Sequence, residues 1–254
     1  MAVNRMNYFS QNNNQKYCGS SQFKAFLRCP AQAMAELNGE WRREESTSLL
    51  VGSYVDAWFE GTLDKFKEEH PEVFKKDGTL KAEYAKAEEI IARVSRDELF
   101  MKYMGGQKQA VRTGEIEGVP FKIKMDSYHK GKAIVDLKVI KDFEPLWNEE
   151  KGIREDFIQY WGYDIQAAIY QAVEGNKLPF YICAVTKEAK PDFAVIQIPQ
   201  NWIDSAMAII KNHIGIIDAY KRGELEAPRC EKCAYCRETK KLSRVISADE
   251  FIVS

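Results

Sequence analysis

Between Gln109 and Ile140 the apolar residues recur with a period of two, a pattern that strands satisfy and an amphipathic helix does not. The runs "QAVRTGEIEG", "VPFKIKMDSY" and "KAIVDLKVI" are joined at Glu117-Gly118 and at His129 to Lys132, short polar joints that reverse a chain. They read as a three-stranded antiparallel meander. Its unusual feature is charge. Side chains two apart share a strand face, so Asp136 and Lys138 project together while Val135, Leu137 and Val139 face the other way. In the preceding strand Phe121, Ile123 and Met125 share one face and Asp126 takes the other. Pairing through the turn at 129 to 132 brings Asp126 close to Asp136, so two carboxylates and an ammonium converge.

Two ionised carboxylates in a half-buried sheet repel each other unless a cation or a partner compensates. Hard carboxylate oxygens with one or two protein ligands and remaining waters describe a Mg²⁺ site. A lysine beside it can hold the attacking water and offset charge at a phosphate. The competing reading is a surface sheet face with an ordinary Lys–Asp pair.

The rest of the chain supplies the frame. At 254 residues it has room for one α/β core, read as a single domain with a helical N-terminal part at about 20–104 and a cysteine-rich tail at about 226–254. A charged fraction of 30% and a hydrophobic fraction of 45% exclude a mostly disordered chain. The net charge of -1 excludes a protein that holds nucleic acid by overall charge, so any such contact is local or cation-assisted. No apolar leader region and no long apolar run occur, which predicts a cytoplasmic protein without a signal peptide or membrane span.

"SSQFKAFLRCPAQAMAELNGEW" reads as a helix capped by Ser20 or Ser21, restarted near Pro30 and stopped at Gly39, after a polar N-terminal tail. "STSLLVGSYVDAWFEGT" is a second helix, and residues 63 to 104 read as a solvated helical subregion packed on the core. After the meander come one long helix, "EDFIQYWGYDIQAAIYQAVEGN", two strands, "PFYICAVTK" and "FAVIQIP", and a helix from about Asn201 to Arg222.

"MDSYHKGKAIVDLKV" resembles the metal-binding core of the PD-(D/E)XK nuclease superfamily, with Asp126 as the first acid and Asp136-Leu137-Lys138 as the D-x-K element. "YDIQAAIYQ" is similar to the Q-x-x-x-Y helix of its RecB-like branch, through Gln166 and Tyr170, which share a helix face with Tyr163 just before them. "SSQFKAFLRCPAQ" resembles that branch's N-terminal helix, and the phage and prophage RecE-like exodeoxyribonucleases are the most similar group. The resemblance implies a restriction-endonuclease-like α/β (α+β) core, a central mixed sheet flanked by helices. It also implies a Mg²⁺- or Mn²⁺-dependent exonuclease resecting linear duplex DNA ends for recombination. Asp126 and Asp136 would hold the metal with the Leu137 carbonyl, Lys138 would activate water, and Gln166 and Tyr170 would position it or the phosphate. A single-strand annealing partner and a homo-oligomer follow by the same analogy. Lys122 and Lys124 are candidate backbone contacts or plain surface lysines. In this branch a histidine usually stands in a G-x-x-x-H element; here "VGSYVDAWFEG" has Asp56, also an oxygen ligand. His70, His129 and His213 stand elsewhere and read as surface residues. Asp56 also keeps alive a nuclease-fold module that binds DNA without cutting it.

Six cysteines in a reducing compartment are thiols or metal ligands. "RCEKCAYC" sets Cys230, Cys233 and Cys236 within one short segment, and Cys29 is the candidate fourth ligand for Zn²⁺ or a [4Fe-4S] cluster. Some RecB-like nucleases close such a cluster with one N-terminal and three C-terminal cysteines, the order found here. The alternatives are a loop of free thiols, or a metal-stabilised interaction protein. Cys18 and Cys183 stand apart, Cys183 as a buried strand residue.

Overall fold

The computed structural model describes residues 2–43, 46–149 and 151–249. The polar N-terminal segment is not a bare tail: Ser10 caps α1 (Gln11–Lys16) by accepting from the Asn13 amide. No residue of α1 itself is buried, so hydrophobic periodicity had no purchase there. Helix α2 (Ser20–Arg28) begins after Gly19 without a side-chain cap, which corrects the expected serine cap. Cys29 is extended, with φ -157 and ψ 99, and caps α3 (Pro30–Asn38), which ends at left-handed Gly39 as the sequence implied. Helix α4 (Thr47–Glu60) runs from a Ser46 cap to Gly61.

Helices α5 (Leu63–Glu69), α6 (Ala82–Val94) and α7 (Glu98–Met104) fill the stretch expected to be solvated. They lie on the core as expected, and α6 contributes a fully buried face to it. Tyr84, Ala87, Ile90 and Val94 recur at helical spacing on α6 and are buried, while the charges occupy the outer face. With Tyr54 and Val55 of α4 and Phe100 of α7 they form one of two apolar cores.

The sheet comprises β1 (Gln107–Ile116), β2 (Val119–His129), β3 (Ala133–Ile140), β6 (Phe180–Thr186) and β7 (Phe193–Gln197), in the order β1-β2-β3-β6-β7. Only β3 and β6 pair in parallel, so the sheet is mixed. Between them lie a small ribbon that the sequence did not reveal, β4 (Leu146–Asn148) with β5 (Ile153–Glu155), then α8 (Phe157–Tyr160) and α9 (Tyr163–Glu174). The single long helix expected here is broken at Gly162, whose φ of 62 is left-handed. Helix α10 (Gln200–Lys221) and the short α11 (Ala234–Glu238) follow β7.

One sheet face, with Val135, Leu137, Cys183 and Val185, packs on α4, α6 and α7. The other, with Phe121, Ile134, Phe180 and Ile182, packs on α2, α9 and α10. Each fully buried side chain of this size contributes roughly 1.5–3 kcal/mol. The strand that carries the D-x-K element is therefore central and clamped from both sides.

Candidate active site

The ladder between β2 and β3 holds at His129↔Ala133, Tyr128↔Ile134 and Ser127↔Val135, then stops. One rung further stand Asp126 and Asp136. From that point β3 pairs only with β6, through Ile140↔Thr186, and its edge toward β2 opens. Leu137 turns its amide to that edge, where the N–H donates to Asp126 Oδ2 at 2.9 Å. Its carbonyl lies on the same edge, because a strand residue presents both groups to one side.

The opening has a cause on β1. Gln109 has a φ of 53, which a side chain other than glycine rarely adopts. On one side of it Lys108 lies 5.5 Å over the Phe59 ring, and on the other Ala110 belongs to the opposite core. Strand β2 switches faces at the same level: Met125 is in the core with Ala110, while Ser127 donates to the Tyr103 carbonyl at 2.8 Å. Asp126 thus sits at a break in the alternation rather than simply on the face opposite Met125. Gln109 Nε2 donates to Asp126 Oδ1 at 3.3 Å, and Gln109 Oε1 is buried with no hydrogen-bond partner.

Asp136 is 2% exposed and accepts from Gln166 Nε2 at 2.7 Å through Oδ1. Its Oδ2 receives no directed hydrogen bond and is balanced by an ion pair with Lys138. Lys138 Nζ also lies 4.8 Å over the Tyr163 ring. Asp56 lines one cleft with Glu60, Gln109 and Lys124, and an adjoining cleft with Leu137, Lys138 and Tyr163.

Burial pushes the Asp56 carboxyl up to about 7; Lys138 opposes the shift, and Asp136 and Glu60 reinforce it. Burial, then Asp136 and Asp56, hold Asp126 well above the ordinary carboxylate range. Burial alone would depress Lys138, but Asp136, Tyr163 and Asp126 raise it, so its ammonium stays protonated. Three carboxylates that act on one another, two of them resisting ionisation, and the buried, unpartnered Gln109 Oε1 form a hard-oxygen set that fits a divalent cation.

Tyr170 is placed differently from Gln166. Its hydroxyl donates to the Lys124 carbonyl at 2.9 Å and its ring meets Phe180 at 5.8 Å, so it braces β2 just before Asp126. Lys122 is buried, with Nζ bonded to Asn14 Oδ1 at 2.6 Å and to the Tyr8 carbonyl, which removes it as a contact for an external backbone. His70, His129 and His213 bond Glu72, the Tyr103 carbonyl and the Ile209 carbonyl, away from the acids.

Sequence reasoning missed Gln109 and Lys24. Lys24 Nζ donates to the Trp161 carbonyl at 3.0 Å and lies 5.2 Å over Tyr163, the ring that also faces Lys138. Burial, with Lys138 adding like charge, pulls Lys24 down to about 7.

A second cluster stands apart. The Sγ atoms of Cys29, Cys230, Cys233 and Cys236 all lie within 4.8 Å of one another, and among the described residues no other set of three such ligands is drawn together in this way. Although burial opposes it, amides of Lys232 and Cys233 hold the Cys230 thiol down at about 6. Cys18 and Cys183 are buried elsewhere.

Residues 19–239 match the family model of a PDDEXK-like domain of unknown function, DUF3799. The crystal structure of a Eubacterium rectale protein described as a candidate exonuclease is 46% identical, covers 99% of this chain and 98% of that chain, and superposes with a TM-score of 0.94. The solved structure of SSO0001 covers 76% of this chain and 84% of that chain at 12% identity, with a TM-score of 0.28 that bears no weight. None of the curated proteins compared matches. The chain belongs to the PDDEXK-like family DUF3799, and with it to the PD-(D/E)XK nuclease superfamily.

Proposed function

We propose that this protein is a divalent-metal-dependent deoxyribonuclease of the RecB-like, RecE-like kind, an exonuclease that resects linear duplex ends in the course of recombination. The observation that carries this reading is the rung at which the ladder opens, with Asp126 facing Asp136 and Lys138 paired to Asp136. The 46% identity to the Eubacterium rectale candidate exonuclease supports it over the whole chain.

Asp126 and Asp136 would hold Mg²⁺ or Mn²⁺, with Asp56 and the Leu137 carbonyl as further ligands. When bound there, such a cation supplies positive charge at the scissile phosphate and a nucleophile at neutral pH. Lys138, kept protonated by its acids, orients the attacking water and offsets charge as it develops on the phosphate. Gln166 fixes the Asp136 carboxylate, and Tyr170 fixes the strand that carries Asp126. A single-strand annealing protein would take the strand that resection exposes, and a ring of copies would favour processive action. Among the described residues no helix is long and apolar enough to cross a membrane.

The test is digestion of end-labelled linear duplex and closed circular DNA with Mg²⁺, Mn²⁺ or EDTA. Loss of the linear substrate alone, dependent on metal and reduced about 10²-fold or more in Lys138→Ala with DNA binding retained, is the expected result. Cutting of circles makes the enzyme an endonuclease. Intact DNA under every metal replaces the reading with a binding module, the alternative that Asp56 favours.

A further inference from the structure

We propose that Cys29, Cys230, Cys233 and Cys236 bind a single tetrahedral zinc ion, and that the [4Fe-4S] cluster implied by the RecB-like resemblance does not fit them. The argument rests on the spacing of the sulfurs. In a cubane each thiolate binds a different iron corner and points outward, which sets the sulfurs about 6 Å apart. One zinc ion with Zn–S bonds of about 2.3 Å draws four sulfurs to about 3.8 Å from one another. Here Cys29 Sγ stands 3.6 Å from Cys236 Sγ, Cys230 Sγ stands 4.0 Å from Cys236 Sγ, and the whole set falls within 4.8 Å.

The backbone holds the set closed. The amide of Gln32 donates to Cys29 Sγ at 3.5 Å, that of Cys233 to Cys230 Sγ at 3.3 Å and that of Cys236 to Cys233 Sγ at 3.4 Å. Glu231 takes a φ of 60 to fold the first Cys-x-x-Cys turn, a conformation a glutamate holds only under constraint. Cys233 caps α11 by accepting from the Cys236 amide, so swinging its sulfur outward leaves the start of that helix uncapped. Spreading the sulfurs to the corners of a cubane breaks these contacts together. The surroundings suit a site that four thiolates and one dication leave net negative: Arg28, Arg42 and Arg43 line the groove shared with Cys29 and Cys233.

The experiment is metal analysis of the full chain, produced and purified without oxygen from cells supplied with both iron and zinc. About one zinc per chain, iron near zero and no broad visible absorption are expected. Iron at about four per chain with the visible band of sulfide-bridged iron overturns the proposal. So does protein carrying neither metal. Growth on Co²⁺ in place of zinc gives a second reading: intense visible bands of a tetrahedral tetrathiolate support the proposal, and their absence from cobalt-loaded protein overturns it. Replacing the partly exposed Cys233 by Ser should lower zinc content and shift those bands; unchanged content and bands in folded Cys233→Ser exclude the proposed ligand set.

Discussion

Asp56 holds its proton near neutrality chiefly because burial disfavours its charged form, with Asp136 and Glu60 nearby reinforcing the effect. Without a cation this has a definite sign. The carboxyl is pushed up to about 7 in the folded chain from an ordinary 3.8, so between those limits the folded state keeps a proton that the unfolded state releases. Its contribution to stability is full below the lower value and is lost as pH rises through the upper one. In EDTA the melting temperature should fall from pH 5 to pH 8, and Asp56→Asn should flatten that fall; an unchanged slope in the variant sinks the assignment. Mg²⁺ affinity should rise over the same window, with proton release visible by calorimetry in buffers of different ionisation enthalpy. Gln109→Ala, which removes the amide bound to Asp126, should weaken Mg²⁺ binding about 10-fold or more. The meeting of the two acids and Lys138 was legible because the short turn sets Asp126 level with Asp136 and alternation puts Lys138 beside Asp136, while the break in alternation at Asp126 was not. Gln109 was not, since glutamine carries no signature of a left-handed backbone. Lys122 was misread because alternation sorts faces without saying which one the Tyr8 to Asn14 segment covers.

Helix α9 shows how one backbone position orients an element. Gly162 separates it from α8, and a Cβ there would come 2.9 Å from Cδ of Lys24 in addition to the strain of φ 62. Gly162→Ala should therefore destabilise the fold by about 1–2 kcal/mol, read from urea unfolding. It should also displace Tyr163, against which both Lys138 and Lys24 lie. The sequence concealed this break because the apolar period runs through "QYWGYDIQ", and an isolated glycine does not forbid a helix. The strands of the main sheet were legible, since each runs five residues or more with alternating or continuous apolar character. The ribbon of β4 and β5 has three residues a side, too few for any period to register. Residues 63 to 104 were legible as helices on the core, but the size of their buried share was not. Their charges dominate composition, while the apolar stripe at Tyr84, Ala87, Ile90 and Val94 that reveals a core face is carried by few positions.

At the scale of the molecule the two sites are joined through α2. From its middle Lys24 reaches the Trp161 carbonyl and the Tyr163 ring that also faces Lys138, Arg28 in its last turn lies 5.9 Å from the Trp161 ring, and Cys29 follows at once. Cys29 and Cys236 are 207 positions apart, so a metal between them closes a loop spanning most of the chain. Closure entropy grows only logarithmically, and a cross-link over a loop this long contributes about 2–5 kcal/mol. Other ties of the tail to this region include the Ala31 amide on the Pro228 carbonyl at 3.1 Å and Trp41 against Tyr235 at 5.6 Å. Stripping the thiolate metal should therefore lower the unfolding free energy by about 2–5 kcal/mol and open the chain to trypsin between Arg229 and Lys241. Because the carboxylates ride on β2 and β3, the heart of the sheet, their Mg²⁺ affinity should change little. Hydrolysis should fall nonetheless, since α2, which holds Lys24 against Tyr163, has lost the anchor at its end. A stripped protein with intact hydrolysis would confine the cysteine site to stability, whereas loss of Mg²⁺ binding along with hydrolysis would mean that the sheet itself had come apart.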